Sequence, residues 1–291
     1  TGTRAHTEGL ANYHNAFASI YEGRYLAGIA AGLKLNEMIE AGQFTADQAK
    51  MGYVGAFTYA EVVSGYTSFY LGAKSVCPTV TMDVTFTGSW YDETLEKEGA
   101  QKLIAGGCKL ISQHADSLGA PTACENAGVP NVSYNGSTIT AGPNTYIISS
   151  RIDWAPYYEM AIKAVMDGTE IPADYTGNLS TGSVVLTDLN TAVAAEGTQA
   201  AIDEAKAKLE SGELHVFDCS TFTVSGANVK DTMKVDADGH LTSYMADVNT
   251  DEAYTGDTEV VHDGYFSESE FRSAPYFDLF IDGINTLDTA F

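Results

Sequence analysis

Single helices separate short apolar runs along residues 10–168, and this alternation limits the possible folds more than any other feature of the sequence. Runs such as "KMGYVGAF" at residues 50–57 are typical of buried strands, whereas residues 21–42 place apolar side chains at helical spacing up to Gly42. Strands joined by single helices form parallel βαβ units with right-handed crossovers. The sequence therefore predicts an α/β fold around a parallel sheet. The predicted strands are residues 10–18, 50–57, 79–86, 108–114, 131–135 and 146–153, and the predicted helices are residues 21–42, 60–76, 92–107, 120–128 and 155–168.

The pattern changes after Gly168. Residues 181–190 are predicted as a strand, residues 196–213 as a charged amphipathic helix, and residues 214–218 and 220–224 as strand-like runs. The stretch "VDADGHLTSYM" predicts a hairpin around Asp238 and Gly239. Asp236 and Asp238 are interpreted as turn residues, because a calcium loop needs about five spaced oxygen ligands ending in a Glu.

Composition excludes several classes of function. The 15 basic and 39 acidic residues give a net charge of −24, which would repel nucleic acid and anionic membranes. No run approaches the roughly 20 apolar residues that cross a bilayer, and the absence of a starting Met and of a leader pattern suggests a mature or trimmed chain. The four cysteines lack metal-binding spacing, and unpaired, buried thiols are favoured over the three disulfide pairings that four cysteines permit. No metal or cofactor is expected.

Polar and aromatic residues follow several predicted strands. In an open parallel sheet, the loops at the carboxyl ends of the strands converge with helix N-termini around a ligand crevice. We therefore expect these residues to share one rim. The rim candidates are Phe57, Tyr59, Glu61, Gly88, Ser89, Trp90, Asp92, His114, Asp116, Asp153 and Trp154.

An enzyme is not expected. The chain contains no Gly-x-Ser-x-Gly elbow, no phosphate-cradling loop and no pair of metal-binding histidines. Asp92 and Glu96 are spaced like paired carboxylates, but like charges at i and i+4 on a helix are interpreted as solvated surface. Binding is therefore favoured over catalysis.

Five ordered motifs within residues 10–220 carry a resemblance. The motifs are "YEGRYLAGIAAGL", "EVVSGYTSFYLGAKSVCP", "GSWYDETLEKEGA", "KLISQHADSLGAP" and "DWAPYYEMAIKAVMDG". On these motifs, the chain resembles the basic-membrane-protein family of ABC-transporter solute-binding lipoproteins, which includes purine nucleoside and nucleobase receptors.

The resemblance implies a type I periplasmic-binding-protein-like fold, in which two doubly wound parallel-sheet lobes are joined by a hinge and close on a small ligand. Residues 1–17 and 151–187 would belong to the first lobe, and residues 18–150 and 188–291 to the second lobe with an irregular C-terminal extension. Family members carry a further N-terminal segment that supplies most of the first lobe and has no counterpart here. We expect a segment outside this chain or a partner chain to supply it.

The implied function is extracytoplasmic capture of a purine nucleoside or nucleobase for an ABC permease, by a protein that is lipid-anchored to the cell membrane. An indole provides a stacking surface worth about 1–3 kcal/mol per base, so Trp90 and Trp154 are candidate contacts, with core packing as the alternative. The alternatives for the whole chain are a small-molecule-sensing module of a regulator or receptor, and a surface or assembly protein that reuses the scaffold.

The polar candidates each have a structural alternative. His114 and Asp116 could point to one side of a strand end and bind the ligand, or be a loop histidine and a helix N-cap. Asp92 is favoured as the cap of its own helix, with Ser89 as the competing ligand contact. Asp153 is either a ligand acceptor or a cap. Glu61 could close a capping box with Thr58, and core packing is the default for Phe57 and Tyr59.

Overall fold

A seven-stranded mixed sheet forms the centre of the computed structural model, which describes residues 9–248 and 256–288. Its strand order is β14-β3-β2-β4-β5-β6-β8, and every pair is parallel except β6 with β8. The predicted α/β class with a parallel sheet is therefore confirmed. The strands are β1 (Asn15–Ala18), β2 (Lys50–Gly55), β3 (Thr81–Phe86), β4 (Leu110–Gln113), β5 (Asn131–Tyr134), β6 (Tyr146–Ile152), β7 (Asp174–Gly177), β8 (Val184–Leu186), β9 (Met233–Val235), β10 (Leu241–Ala246), β11 (Thr258–Glu259), β12 (Val261–His262), β13 (Tyr265–Phe266) and β14 (Ile284–Thr286).

Six helices were predicted, and each is present within two residues or so of its predicted bounds. They are α1 (Ile20–Glu40), α2 (Ala60–Val76), α3 (Glu93–Ala105), α4 (Gly119–Ala127), α5 (Ala155–Asp167) and α6 (Thr198–Ser211). In the parts of the chain that the structure covers, none of these helices is both long and apolar enough to span a bilayer.

Helices cover both faces of the sheet. On one face α1 packs against α2, β6 and β8, and on the other α3 packs against α4, β2 and β3. The alternating side chains of β2 divide between the two layers, because Met51 and Tyr53 join the larger core while Val54 joins the smaller one beneath α3 and α4. A parallel sheet that is buried on both faces agrees with the continuous apolar runs in the sequence.

The order of the strands places a topological switch point at β2. The chain passes from β2 to β3 on one side and then crosses to β4 on the other side, so the loops that follow β2 and β4 run in opposite directions. A crevice opens between such loops at the carboxyl edge of the sheet. This edge is where the sequence places most of its candidate residues.

A second, two-stranded parallel sheet is formed by β1 and β7, beside α5. The segment 151–187 thus contributes α5 and β7 near β1, but it also contributes β8 to the large sheet. The division of the chain into two lobes stays a prediction.

Two of the strand predictions in the C-terminal third are wrong. Residues 214–218 and 220–224 form no strand, and Cys219–Thr221 is a short 3-10 turn. Their alternating apolar residues instead bury side chains in an aromatic cluster, where Phe217 stacks on Phe277 with a centroid distance of 4.2 Å. The backbone of this segment meets β13 only through an isolated bridge between Asp218 and Tyr265, so its apolar periodicity reflects burial of side chains and not an extended strand.

Two strand predictions were also too long. Residues 10–18 form a strand only over Asn15–Ala18, and residues 181–190 only over Val184–Leu186. In each case the strand is confined to the residues that face its partner, β7 or β6.

The hairpin and cysteine predictions are confirmed. Strands β9 and β10 pair antiparallel around Asp238 and Gly239, and the Asp236 carboxylate accepts hydrogen bonds from the backbone N–H groups of Asp238 and His240, as expected of a turn residue. The four cysteines are free and buried: Cys77, Cys108, Cys124 and Cys219.

Candidate functional site

Three aromatic rings gather at the carboxyl edge of β2 and β3. Phe57 stacks on Tyr59 with a centroid distance of 5.0 Å, and Trp90 meets Phe57 edge-on at 5.3 Å. Phe57 and Tyr59 follow β2, and Trp90 follows the neighbouring strand β3, so parallel pairing of the two strands brings the rings together. Tyr59 is 55% exposed and Trp90 is 37% exposed. Core packing, the default for Phe57 and Tyr59, is therefore wrong for Tyr59, and the rings form a surface open to a ligand.

The loops after β3 and β4 are tied to each other by the backbone. The N–H of Asp116 donates to the carbonyl oxygen of Trp90 over 3.0 Å, and the N–H of His114 donates to the carbonyl oxygen of Val54 over 2.8 Å. Gly88 has φ of +69°, a left-handed conformation that glycine adopts without strain, and it turns the chain between β3 and Trp90. These contacts fix the position of Trp90 relative to His114.

His114 is buried directly behind Trp90. Its ring centroid lies 6.3 Å from that of Trp90 and 4.2 Å from that of Tyr134, which ends β5. Its Nδ1 lies 3.3 Å from the hydroxyl oxygen of Tyr53, and its Nε2 has no hydrogen-bond partner among the described residues. His114 and the aromatic rings were expected to share one rim, and the structure brings them together.

Space for the imidazole is provided by Gly65 in α2. A Cβ at this position would lie 2.7 Å from His114 Nδ1 and 2.9 Å from Cε1. Any larger residue would therefore displace the imidazole. The sequence signal is a glycine in the middle of an apolar helix, which usually marks close packing.

A fully buried arginine lies below His114. Arg24 Nη2 donates to the hydroxyl oxygen of Tyr53 over 3.0 Å and to Ser112 Oγ over 2.9 Å, and Nη1 donates to the carbonyl oxygen of Ser133 over 3.1 Å. Sequence reasoning missed Arg24, although a single cation inside the apolar run "YEGRYLAGIAAGL" is an available signal.

Two carboxylates border the same rim. Glu61 Oε1 lies 3.9 Å from His114 Nε2. Burial raises the pKa of Glu61, but the neighbouring His114 imidazole lowers it by more, so the pKa lies below its usual value. Asp116 has a raised pKa because of partial burial and the nearby Glu61 charge, against the opposing influence of His114 and Asn135. Asp116 is not a helix cap, because the residue that precedes α4 is Leu118. Both carboxylates can accept hydrogen bonds from a solute.

Asp92 and Ser89 serve local structure. Asp92 Oδ1 accepts the N–H of Leu95 over 2.9 Å at the start of α3, so the favoured helix-cap interpretation is confirmed. Ser89 Oγ donates to the carbonyl oxygen of Tyr91 over 3.1 Å within the turn. The ligand roles of both residues stay predictions.

Glu96 is not solvated surface, so that expectation is wrong. It is fully buried, and its carboxylate accepts hydrogen bonds from the Asp92 N–H, the Ser117 N–H and the Ser117 hydroxyl. The helix periodicity placed Glu96 on the surface, but the loop after β4 covers it. Burial raises its pKa, and the Ser117 and Asp92 hydrogen bonds oppose that rise.

Asp153 and Trp154 follow β6 on the same edge of the sheet as Trp90. Four strand spacings of about 4.8 Å each separate β6 from β3, so the two strands lie about 19 Å apart in the sheet. Asp153 Oδ1 accepts the N–H of Ala155, the first residue of α5, but the residue at the cap position is Trp154, so Asp153 contacts the helix start without being its cap. Trp154 is 38% exposed and belongs to a different part of the edge.

Tyr59 also forms one wall of a cleft of about 490 Å³. The opposite wall comes from the C-terminal third of the chain, including Lys230, Tyr244, Arg272 and Asp278. A volume of this size accommodates a small organic solute. Sequence reasoning missed Lys230, Arg272 and Asp278 because they lie outside the predicted helices and strands. It placed Tyr244 in the predicted hairpin but not at a site.

The family model described as ABC transporter substrate-binding protein PnrA-like matches residues 5–216. A purine-binding protein from Brucella abortus is 31% identical over 200 residues, which are 69% of this chain and 53% of the relative. A putative ABC transporter glucose-binding protein from Haloferax volcanii is 34% identical over 167 residues, which are 57% of this chain and 40% of the relative. The chain thus spans about half the length of the curated relatives it matches.

Solved structures of the same architecture support the fold. A solute-binding protein from Aeropyrum pernix superposes with a TM-score of 0.60 at 20% identity, covering 69% of this chain and 65% of the other. One from Conexibacter woesei has a TM-score of 0.54 at 24% identity, covering 70% of this chain and 65% of the other. The expected type I periplasmic-binding-protein-like fold is confirmed.

Proposed function

Because the chain belongs to the Bmp family of PnrA-like ABC-transporter substrate-binding proteins, we propose that it captures a small solute outside the cytoplasm for delivery to an ABC permease. The family is one of binding proteins, which agrees with the expectation that the chain is not an enzyme. The observation that carries the proposal is the cluster of Phe57, Tyr59, Trp90 and His114 at the switch point of the sheet. Lipid anchoring to the membrane is part of the same proposal.

The proposed solute is a purine nucleoside or nucleobase. The exposed ring of Trp90 offers a face for stacking, and Glu61, Asp116 and His114 offer hydrogen-bonding groups for a base or ribose. The name of the Brucella relative supports this class. Capture would be strongest when a first lobe closes over the rim, because only the closed arrangement lets the solute contact both lobes.

A sugar is the second candidate. The Haloferax relative is named a glucose-binding protein, and the two rim carboxylates beside an exposed ring could accept sugar hydroxyls. Under this alternative glucose would saturate the site and adenosine, guanosine and free bases would not.

The two tryptophans allow a direct test, since the chain has only Trp90 and Trp154. In a Trp154→Phe variant, the remaining fluorescence reports on Trp90. We expect adenosine, guanosine or inosine to quench it saturably at micromolar concentration. Saturable quenching by glucose alone would establish the sugar alternative, and no response to any of these solutes would count against both.

Replacement of Trp90 tests the stacking itself. Trp90→Ala should weaken purine binding at least tenfold, because loss of about 1.4 kcal/mol corresponds to that factor. Tyr91→Ala is the matched control, because Tyr91 is an adjacent aromatic residue that is 66% exposed. Calorimetric titration of both variants measures the effect, and equal affinities would remove Trp90 from the site.

A further inference from the structure

Arg24 is a fully buried cation without a carboxylate partner. No acidic group in residues 9–248 or 256–288 forms an ion pair with it, and its guanidinium packs against the rings of Tyr53, Phe69 and Tyr134 at 5.0–5.5 Å from their centroids. Burying a charge without a counter-ion is costly, so every hydrogen bond it makes constrains its neighbours. Packing alone therefore does not account for a cation at this buried position.

The protons of this network can be assigned from donor and acceptor rules. Arginine only donates, so the hydroxyl oxygens of Tyr53 and Ser112 must accept from Arg24. The Ser112 hydroxyl then donates to the carbonyl oxygen of Val132 over 2.7 Å. The Tyr53 hydroxyl still has its own proton to donate, and His114 Nδ1 lies 3.3 Å from it.

This assignment determines the tautomer of His114. If Nδ1 accepts from Tyr53, the ring proton is on Nε2. Nε2 is buried and has no hydrogen-bond partner among the described residues, because Glu61 Oε1 is 3.9 Å away, close enough for an ion-pair contact but beyond hydrogen-bond distance. A buried donor without a partner is costly unless a ligand satisfies it.

We propose that Arg24 and Tyr53 are positioning residues that hold His114 as the Nε2–H tautomer, so that the rim selects solutes with a hydrogen-bond acceptor. The inference rests on the proposed function of this same site. In a purine the acceptor is an unprotonated ring nitrogen. Gly65 completes the arrangement, because its missing side chain lets the imidazole lie within reach of Tyr53.

Nitrogen NMR of the solute-free protein tests the tautomer without depending on any ligand. In a ¹H–¹⁵N spectrum of ¹⁵N-histidine-labelled protein, His114 should show an unprotonated Nδ1 and a protonated Nε2, and a His114→Gln variant identifies its signals. A proton on Nδ1 in the native protein would overturn the proposal, whatever solute the protein binds.

Removal of one hydroxyl tests the role of Tyr53. Tyr53→Phe should shift His114 to a mixture of tautomers, whereas Tyr66→Phe should not. Tyr66 is a suitable control because its ring packs edge-on against Tyr53 at 5.8 Å and its buried hydroxyl has no described partner. An unchanged tautomer in a folded Tyr53→Phe variant would show that Tyr53 does not position His114.

Ring-substituted analogues test the acceptor. Adenosine should bind about fivefold more tightly than one of its 1-, 3- or 7-deaza analogues, as expected for one hydrogen bond, and Tyr53→Phe should reduce that difference. Equal affinities for all four would overturn the ring-nitrogen assignment. Failure of all four to bind would overturn the purine proposal, while the tautomer measurement would still decide the role of Arg24 and Tyr53.

Discussion

At the scale of single residues, the site depends on neighbours that have no side chain or no exposed atoms. His114 can occupy its position because Gly65 leaves room for it, and it is oriented by Tyr53 and the buried Arg24. The exposed residues of the rim could be predicted from the sequence because they directly follow predicted strands. The buried residues that orient them could not, because their role depends on contacts across 29 to 109 positions of the chain.

Gly65→Ala is expected to displace the His114 ring, since the new Cβ would lie 2.7 Å from Nδ1. The variant should lose about 1–3 kcal/mol of stability through overpacking and bind solute several-fold more weakly. Denaturant unfolding and calorimetric titration measure the two effects. Unchanged solute affinity would show that His114 does not contact the solute.

At the scale of elements, α1 and α2 pack unusually closely through glycines. A Cβ at Gly28 would lie far inside van der Waals distance of the Phe69 carbonyl oxygen. A Cβ at Gly72 would lie equally close to the carbonyl oxygen of Tyr25. Helical glycines cost stability in isolation, so their use here indicates that close approach of the two backbones outweighs the loss.

Gly28→Ala should therefore destabilise the protein by more than about 2 kcal/mol, because the two helices must separate. Gly99→Ala is the matched control within α3, where the new Cβ would have only ordinary contacts at 3.4 Å. It should stabilise the protein by about 0.5–1 kcal/mol through helix propensity. Equal changes in the free energy of unfolding would contradict the role given to Gly28.

An apolar stripe on α5 faces solvent. Tyr158, Ile162, Val165 and Met166 are 59–81% exposed, and Ala164 is the only residue of this helix that is buried. Such a stripe is uncommon on isolated monomers. The assignment of α5 and β7 to a first lobe stays a prediction.

At the scale of the whole molecule, the buried carboxylate of Glu268 holds together the C-terminal segment that leads to β14. Its carboxylate is buried and accepts the N–H groups of Tyr276 and Phe277, and β14 then pairs in parallel with β3. Burial raises the pKa of Glu268 to about 8, against the opposing effect of its hydrogen bonds.

Stability should consequently fall as the pH rises toward 8. The unfolded chain releases this proton near pH 4.3 and the folded protein near pH 8, so between these values the folded state holds one proton more. Glu268 alone should lower the free energy of unfolding by up to about 1.4 kcal/mol per pH unit in that window. Denaturant titrations at pH 5, 6.5 and 8 should show this slope.

Glu268→Gln isolates the contribution of this carboxyl, because the amide resembles the protonated acid and keeps an acceptor for the backbone. Glu22, whose pKa burial raises to about 7, would still contribute in the same direction. In the variant, the free energy of unfolding should depend less steeply on pH, because the contribution of Glu268 is removed. An identical slope in both proteins would mean that Glu268 is ionised in the folded state at neutral pH.

The sequence by itself determined the parallel α/β architecture, the helices and the common edge at which Trp90 and His114 meet. Apolar periodicity and helix stops are local properties, so they could be recognised without knowledge of the packing. The hairpin at Asp238 was predictable for the same reason.

Only the tertiary structure decided the order of the strands, and with it which edge residues are neighbours. That order places His114 beside Trp90 and separates the strand before Trp154 from both. Contacts between distant segments also bury Glu96 beneath a loop and limit the pairing of residues 214–218 to one bridge with β13. The physical reason is that strand order and burial depend on contacts between distant segments, and local periodicity carries no information about which segments will meet.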